Sequence, residues 1–278
     1  MLHLIGEILF SLAVLGYVGT AVCALGYVVQ SATGGFTPRA GRLIAVWAFS
    51  AHTLALIALS AGSRNLPITN VFESIVLFLW CVALVSIFAD CVYNLPTLNA
   101  FLMPLVVVLA VGAIGFVERG PALAPGLKKF WLAVHIAPIF LGYGAFAIAG
   151  ALSLMYLTQQ SQLKSKAFGP LLSRLPSLEI LDRLSARTVA VGFPLLTIGL
   201  ILGFVWVRTS GALGEDWMMD WKVAGGVITW LVYAVLLHVR VARARTGKLV
   251  AYLTLAGFLL VLFTFLGTFM LGEKHGFK

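Results

Sequence analysis

The sequence predicts an all-α protein, a polytopic membrane helical bundle of about eight transmembrane helices. Three observations lead there. Apolar residues make up 61% of the 278 residues and charged residues only 10%, whereas a soluble domain is typically about a quarter charged. The apolar residues fall in eight runs, each long enough to cross a hydrocarbon core of roughly 30 Å as a helix. No run alternates apolar with polar residues, as the strands of a barrel with a watery lumen would.

The runs are residues 4–29, 43–61, 71–93, 100–117, 131–158, 188–207, 223–239 and 249–271. The first exceeds the roughly 7–15 apolar residues of a signal core and has no basic segment before it, so it is expected to be a helix of the mature chain. SATGGFTPRAGR is ordinary turn punctuation before the second run, which carries His52. In GSRNLPITNVFES, Asn70 or Thr69 is placed to cap the third helix. Glu73 then suits either the helix dipole in the first turn or a polar rim shared with Arg64 and Asn70. The third and fourth runs are joined by the tight turn NLPTLN and offer, apart from Glu73 in the first turn, one acidic or basic group, Asp90, so they read as scaffold.

The fifth run places His135 about one turn inside its outer boundary. Further on, Gly142, Gly144, Ala145, Ala147, Ala149, Gly150 and Ala151 allow a neighbouring helix close approach. Segment 159–187 follows, and within it PSLEILDRLSAR is expected to form a short amphipathic helix on the inner membrane surface. Leu178, Leu181 and Leu184 share one face, and Glu179 stands four residues before Arg183, the spacing of a helical ion pair. The sixth run returns the chain outward to a polar, tryptophan-bearing loop, 208–222, before the seventh run ends at His238 and Arg240. The eighth leads out to GEKHGFK, with His275. Residues 1–278 are expected to form one domain.

Net charge is +9, but the basic residues sit in loops, where topology accounts for them better than nucleic acid does. Eleven of the nineteen Lys and Arg fall in the odd-numbered loops. The positive-inside rule therefore puts those loops, 159–187 included, in the cytoplasm, and both termini and loop 208–222 outside. Cys23, Cys81 and Cys91 are odd in number and lie in apolar runs, as small core residues do. With no C-x-x-C-H the chain is not itself a c-type cytochrome.

Histidines at membrane depth are expensive and are candidates for function by default; each also has the plainer account of a neutral imidazole hydrogen-bonded to a carbonyl or polar neighbour. His3, at the N-terminus, reads as solvated. His135 and His275 come out near the outer surface beside Trp217, Asp220, Trp221 and Lys222. His238 and His52 fall nearer the inside, and a pairing between those two is a further expectation. A zinc site would want three or four ligands at local spacings that are missing. Haem wants one or two axial imidazoles, an aromatic surface and cations for its propionates, although the tryptophans also suit an interfacial belt. No nucleophile elbow and no phosphate loop is present.

The stretch 214–240 resembles the tryptophan-rich WWD segment of the cytochrome c assembly protein family, which includes the channel subunit of the system II cytochrome c synthetase and the HemX-type membrane proteins. LPITNVFESIVLFLW (66–80), WLAVHIAPIFLGYGAF (131–146), LPSLEILDRLSARTVAVGFPLLTIG (175–199), ITWLVYAVLLHVR (228–240) and the closing His275 carry the resemblance further. It implies a membrane protein that binds or exports haem b for cytochrome c maturation, in the bacterial inner (plasma) membrane. By the same resemblance, His135 and His275 are axial ligands to the haem iron and His238 takes haem from the inner side; His52 is carried over without a firm role. Within W-x-W-D-P-K-E-x-W, the chain keeps Trp217, Asp220 and Lys222, while Met219, Trp221, Val223 and Gly225 replace a tryptophan, the proline, the glutamate and the last tryptophan. The platform is thinner than the family's. The resemblance then implies a membrane partner subunit whose periplasmic domain presents apocytochrome c, with any enzymatic role being that of the membrane part of a holocytochrome c synthase. The alternative it implies is a HemX-type regulatory or scaffold subunit of tetrapyrrole biosynthesis.

Overall fold

The apolar runs become helices with little change. The computed structural model describes residues 1–30, 35–63, 66–68, 70–116, 129–166, 169–210, 221–242 and 247–270. Its elements are α1 (Leu2–Val29), α2 (Pro38–Ser63), α3 (Val71–Tyr93), α4 (Leu98–Ile114), α5 (Lys129–Ser165), the single turn α6 (Pro170–Arg174), α7 (Leu178–Ser210), α8 (Trp221–Ala242) and α9 (Lys248–Met270). Seven are long and apolar enough to span a membrane; α4, at 17 residues, is shorter but as apolar, and its length of about 26 Å brings it close to a full crossing. The protein is a multi-pass membrane protein.

Helix α5 is the axis of the fold. It packs on α3 and α4 on one side and on α7 and α9 on the other, while α1 packs on α2 and α4, and α8 lies between α7 and α9. The α5–α7 contact is close because small residues stack along it: a Cβ at Gly142 would lie 3.0 Å from the Gly192 carbonyl oxygen, inside normal contact distance. The small residues expected to admit a neighbouring helix do so here.

Local capping follows the sequence. The Asn70 side chain accepts from the Glu73 amide at 2.8 Å, and Glu73 is buried in the first turn of α3; Arg64 and Thr69 lie outside the described residues. The α3–α4 turn is made by Asn94 in the left-handed region, at φ 50°, which asparagine tolerates better than most residues. Asp90 is neutralised at the same end by Arg42, whose Nε donates to Oδ2 at 2.9 Å and Nη2 to Oδ1 at 3.2 Å. That pair ties α2 to α3.

Three expectations are corrected. PSLEILDRLSAR is not a separate surface helix: from Leu178 it is the first three turns of α7, a continuous 33-residue helix. No glycine or proline stands between Leu178 and Val191 to end it, and the leucine stripe packs inward, with Leu181 and Leu184 buried in the main core. The Glu179–Arg183 ion pair forms on its exposed face. His3 is not simply solvated: it is half-buried, its Nδ1 is 2.9 Å from Glu7 Oε1, and its Nε2 is 4.0 Å from Glu73 Oε1. Of the three cysteines only Cys81 is a core residue, with Cys23 half-buried and Cys91 exposed.

Candidate cofactor-binding site

His135 lies in the second turn of α5, facing α7. Its Nδ1 is 2.8 Å from the carbonyl oxygen of Gly199. A carbonyl can only accept, so Nδ1 carries the proton and the lone pair is on Nε2. The ring reaches this position because α7 has no side chain there. A Cβ at Gly203 would sit 2.4 Å from His135 Cε1, and one at Gly199 would sit 2.3 Å from Ile139 Cγ1. Gly199 and Gly203 thus form a notch, one helical turn apart, that receives His135 and Ile139.

The antiparallel packing decides what else gathers at this end. On α9, Phe258 meets Gly150 and Phe265 meets Phe140, with ring centroids 5.6 Å apart, so Met270 comes level with His135. On α8, Trp230 donates to Thr197 Oγ1 at 2.9 Å and Gly226 faces Leu200, so Trp221 comes level with Val205, just beyond Gly203. The described chain therefore leaves α7, re-enters at α8 and leaves α9 at the end that holds His135. Of the expected site residues, His275, Trp217 and Asp220 lie outside the described residues, as do the side chains of Trp221 and Lys222.

His238 stands at the opposite end, about 25 Å along α8 from Trp221. It is exposed and continues a stripe of exposed apolar residues, Ile228, Leu231, Val235 and Val241. Spacings of three and four put these on one face, the face turned away from Tyr233 and Leu236 in the core. Two residues on, Arg240 turns the other way: Nη1 donates to the Asp182 carbonyl at 3.0 Å and Nη2 lies 3.3 Å from Asp182 Oδ1. This ties the end of α8 to the extension of α7.

His52 is housed differently. It is 0% exposed, shares a 2.9 Å hydrogen bond between Nδ1 and the Tyr17 hydroxyl, and has the Phe10 ring 5.2 Å away. All these neighbours come from α1. The structure gives His52 and His238 different surroundings and does not bring the two together. Among the described residues no three His, Cys, Asp or Glu side chains converge on a metal-sized point.

Two features of the site went unread in the sequence. Gly199-Leu-Ile-Leu-Gly203 is a G-x-x-x-G motif, the spacing that lets one membrane helix approach another closely. The Arg240–Asp182 pair joins residues 58 apart in sequence, a separation that carries no local signal.

Residues 68–275 match the family model described as cytochrome C assembly protein. The chain belongs to the cytochrome c assembly protein family. Its relatives include two proteins named cytochrome c biogenesis protein CcsA: one from Guillardia theta, 33% identical over 76% of each chain, and one from Prochlorococcus marinus strain NATL1A, 31% identical over 87% of this chain and 85% of that one. Among solved structures, the cytochrome c haem lyase CcmF superposes with a TM-score of 0.65 at 19% identity, covering 99% of this chain. At that identity the likeness is one of fold. This chain spans half the length of that structure. The described arrangement of His135 has a form seen in ligating imidazoles, which commonly donate their other ring nitrogen to a carbonyl that sets the tautomer and the ring orientation.

Proposed function

We propose that this protein binds haem on the outer side of a bacterial inner membrane, with His135 and His275 as axial ligands beside loop 208–222, in the service of cytochrome c maturation. The observation that carries the reading is the state of His135: Nδ1 held by the Gly199 carbonyl, with the lone pair left on Nε2. The convergence of the α7, α8 and α9 termini at that end supports it, because the loop with Trp217 and Asp220 and the segment with His275 both depart from there. When bound, haem supplies the prosthetic group for apocytochrome c. The protein's own part is to hold the iron by imidazoles and to offer aromatic and cationic residues, Trp217, Trp221 and Lys222, to the macrocycle and its propionates.

His238 serves in this reading as the inner-side receiving ligand. Its exposure on an apolar stripe supports access from the bilayer rather than from a closed core. A membrane partner with an outer domain brings apocytochrome c in this reading. Among the relatives compared, nothing supports a regulatory subunit of tetrapyrrole synthesis. The deciding experiment is an absorption spectrum of the purified full chain, wild type against His135→Ala/His275→Ala. Wild type should give a Soret band of bis-imidazole character and the double variant should lose it; an unchanged spectrum in the double variant would refute the site.

A further inference from the structure

We propose that Gly203, with Gly199, is a positioning residue for His135, and that the notch in α7 sets both the tautomer and the depth of that imidazole. The inference rests on the proposed role of His135 as a ligand and deepens it.

The geometry is specific. The Gly203 position faces the edge of the ring that joins the two nitrogens: an added Cβ would lie 2.4 Å from Cε1, 2.9 Å from Nδ1 and 3.2 Å from Nε2. To restore ordinary contact the ring would have to withdraw by about 1 Å. Withdrawal draws Nδ1 off the Gly199 carbonyl, now at 2.8 Å, and a hydrogen bond stretched so far is largely lost. Without it the proton is free to move to Nε2, the nitrogen that would face the iron. The crowded atoms belong to a terminal side-chain ring, not to backbone, so the helices have no need to separate. Gly199 is different, since a Cβ there would also come within 3.2 Å of the Ile139 amide nitrogen. Gly203→Ala is therefore the substitution that moves the imidazole and spares the α5–α7 contact.

Gly192 provides the control on the same interface. Its added Cβ would press on Phe146 Cε1 at 2.7 Å, and it lies 11 residues from Gly203, about 16 Å along the helix. A general loosening of α5 from α7 would show in both variants, and loss of the notch only in one.

The experiment uses the full chain in lipid nanodiscs, loaded with haem and separately haem-free with ¹⁵N-labelled histidine. Gly203→Ala should retain its fold and lose haem about tenfold more readily, the usual scale for removing a ligand's supporting hydrogen bond. Its low-spin bis-imidazole spectrum should give way to a high-spin component. In the haem-free protein the ¹⁵N shifts should show His135 protonated on Nδ1 in wild type and mixed in Gly203→Ala, with Gly192→Ala like wild type in both readouts. Nδ-methylhistidine at position 135 removes the donor, sets a methyl against the Gly199 carbonyl that pushes the ring outward, and fixes the lone pair on Nε2; it should reproduce the spectral change through depth alone and serves as the test of depth if Gly203→Ala does not fold. A wild-type spectrum in either altered protein, a wild-type tautomer in Gly203→Ala, or equal effects from Gly192→Ala, would overturn the proposal. A wild type that takes up no haem would defeat the proposed function, and the tautomer measurement would still decide the notch.

Discussion

His135 and His52 are both imidazoles on membrane helices, and their neighbours assign them different work. His135 presents Nε2 beyond a glycine notch, while His52 is sealed between Phe10 and the Tyr17 hydroxyl with no exposed surface. Replacing His52 with alanine should open a cavity and leave Tyr17 unpaired, a loss on the order of 2–4 kcal/mol. Unfolding in detergent should show that loss while the haem spectrum stays as in wild type; a normal melting profile with an altered spectrum would make His52 a ligand instead. Tyr17→Phe, which removes only one hydrogen bond, should cost about 1 kcal/mol. At this scale the sequence was a good guide to which residues matter and a poor one to why. Five histidines in an apolar chain stand out by composition, but burial separates them: His3 finds Glu7, His52 finds Tyr17, and the glycines that shape His135 look like any others until two helices meet.

At the scale of the elements, the spans were legible because a run of about 20 apolar residues has few alternatives in a membrane. The extent of α5 and α7 beyond the membrane was not. In Leu178–Arg187 the leucine stripe and the polar face fit a lipid surface as well as a protein neighbour, and only the packing of Leu181 and Leu184 into the core distinguishes them. The same extension supplies Asp182 to Arg240, whose side chains are 17% and 8% exposed. Asp182→Ala should therefore strand a buried guanidinium and destabilise the fold by about 3 kcal/mol. Asp182→Asn combined with Arg240→Met, which removes both charges, should recover most of that loss. Thermal unfolding of the two proteins side by side checks it, and a double variant no more stable than Asp182→Ala would show that the pair is not what joins α8 to α7.

For the whole molecule, we propose that α4 crosses with the seven long apolar helices, so that the chain starts and ends on one side, and that this side is the outer one, by the positive-inside rule. Alkaline phosphatase fused after Lys278 should be active and a fusion within 159–177 inactive, with the reverse pattern for a cytoplasmic reporter; exchanged patterns would invert the topology and place His238 outside. The family and the architecture follow from residues spread along the chain, which is why they could be read before any geometry. The proposed haem site would need the segments 211–220 and 271–278 to meet His135, and no local sequence rule specifies such a meeting.

The most direct test is an electron cryo-microscopy map of the haem-loaded full chain. The account predicts one iron at the end where α5 begins, with the imidazoles of His135 and His275 on its two axial faces and the Nδ1 of His135 still on the Gly199 carbonyl. Density that puts the two rings on different sides of the membrane, or the iron on neither, would contradict it.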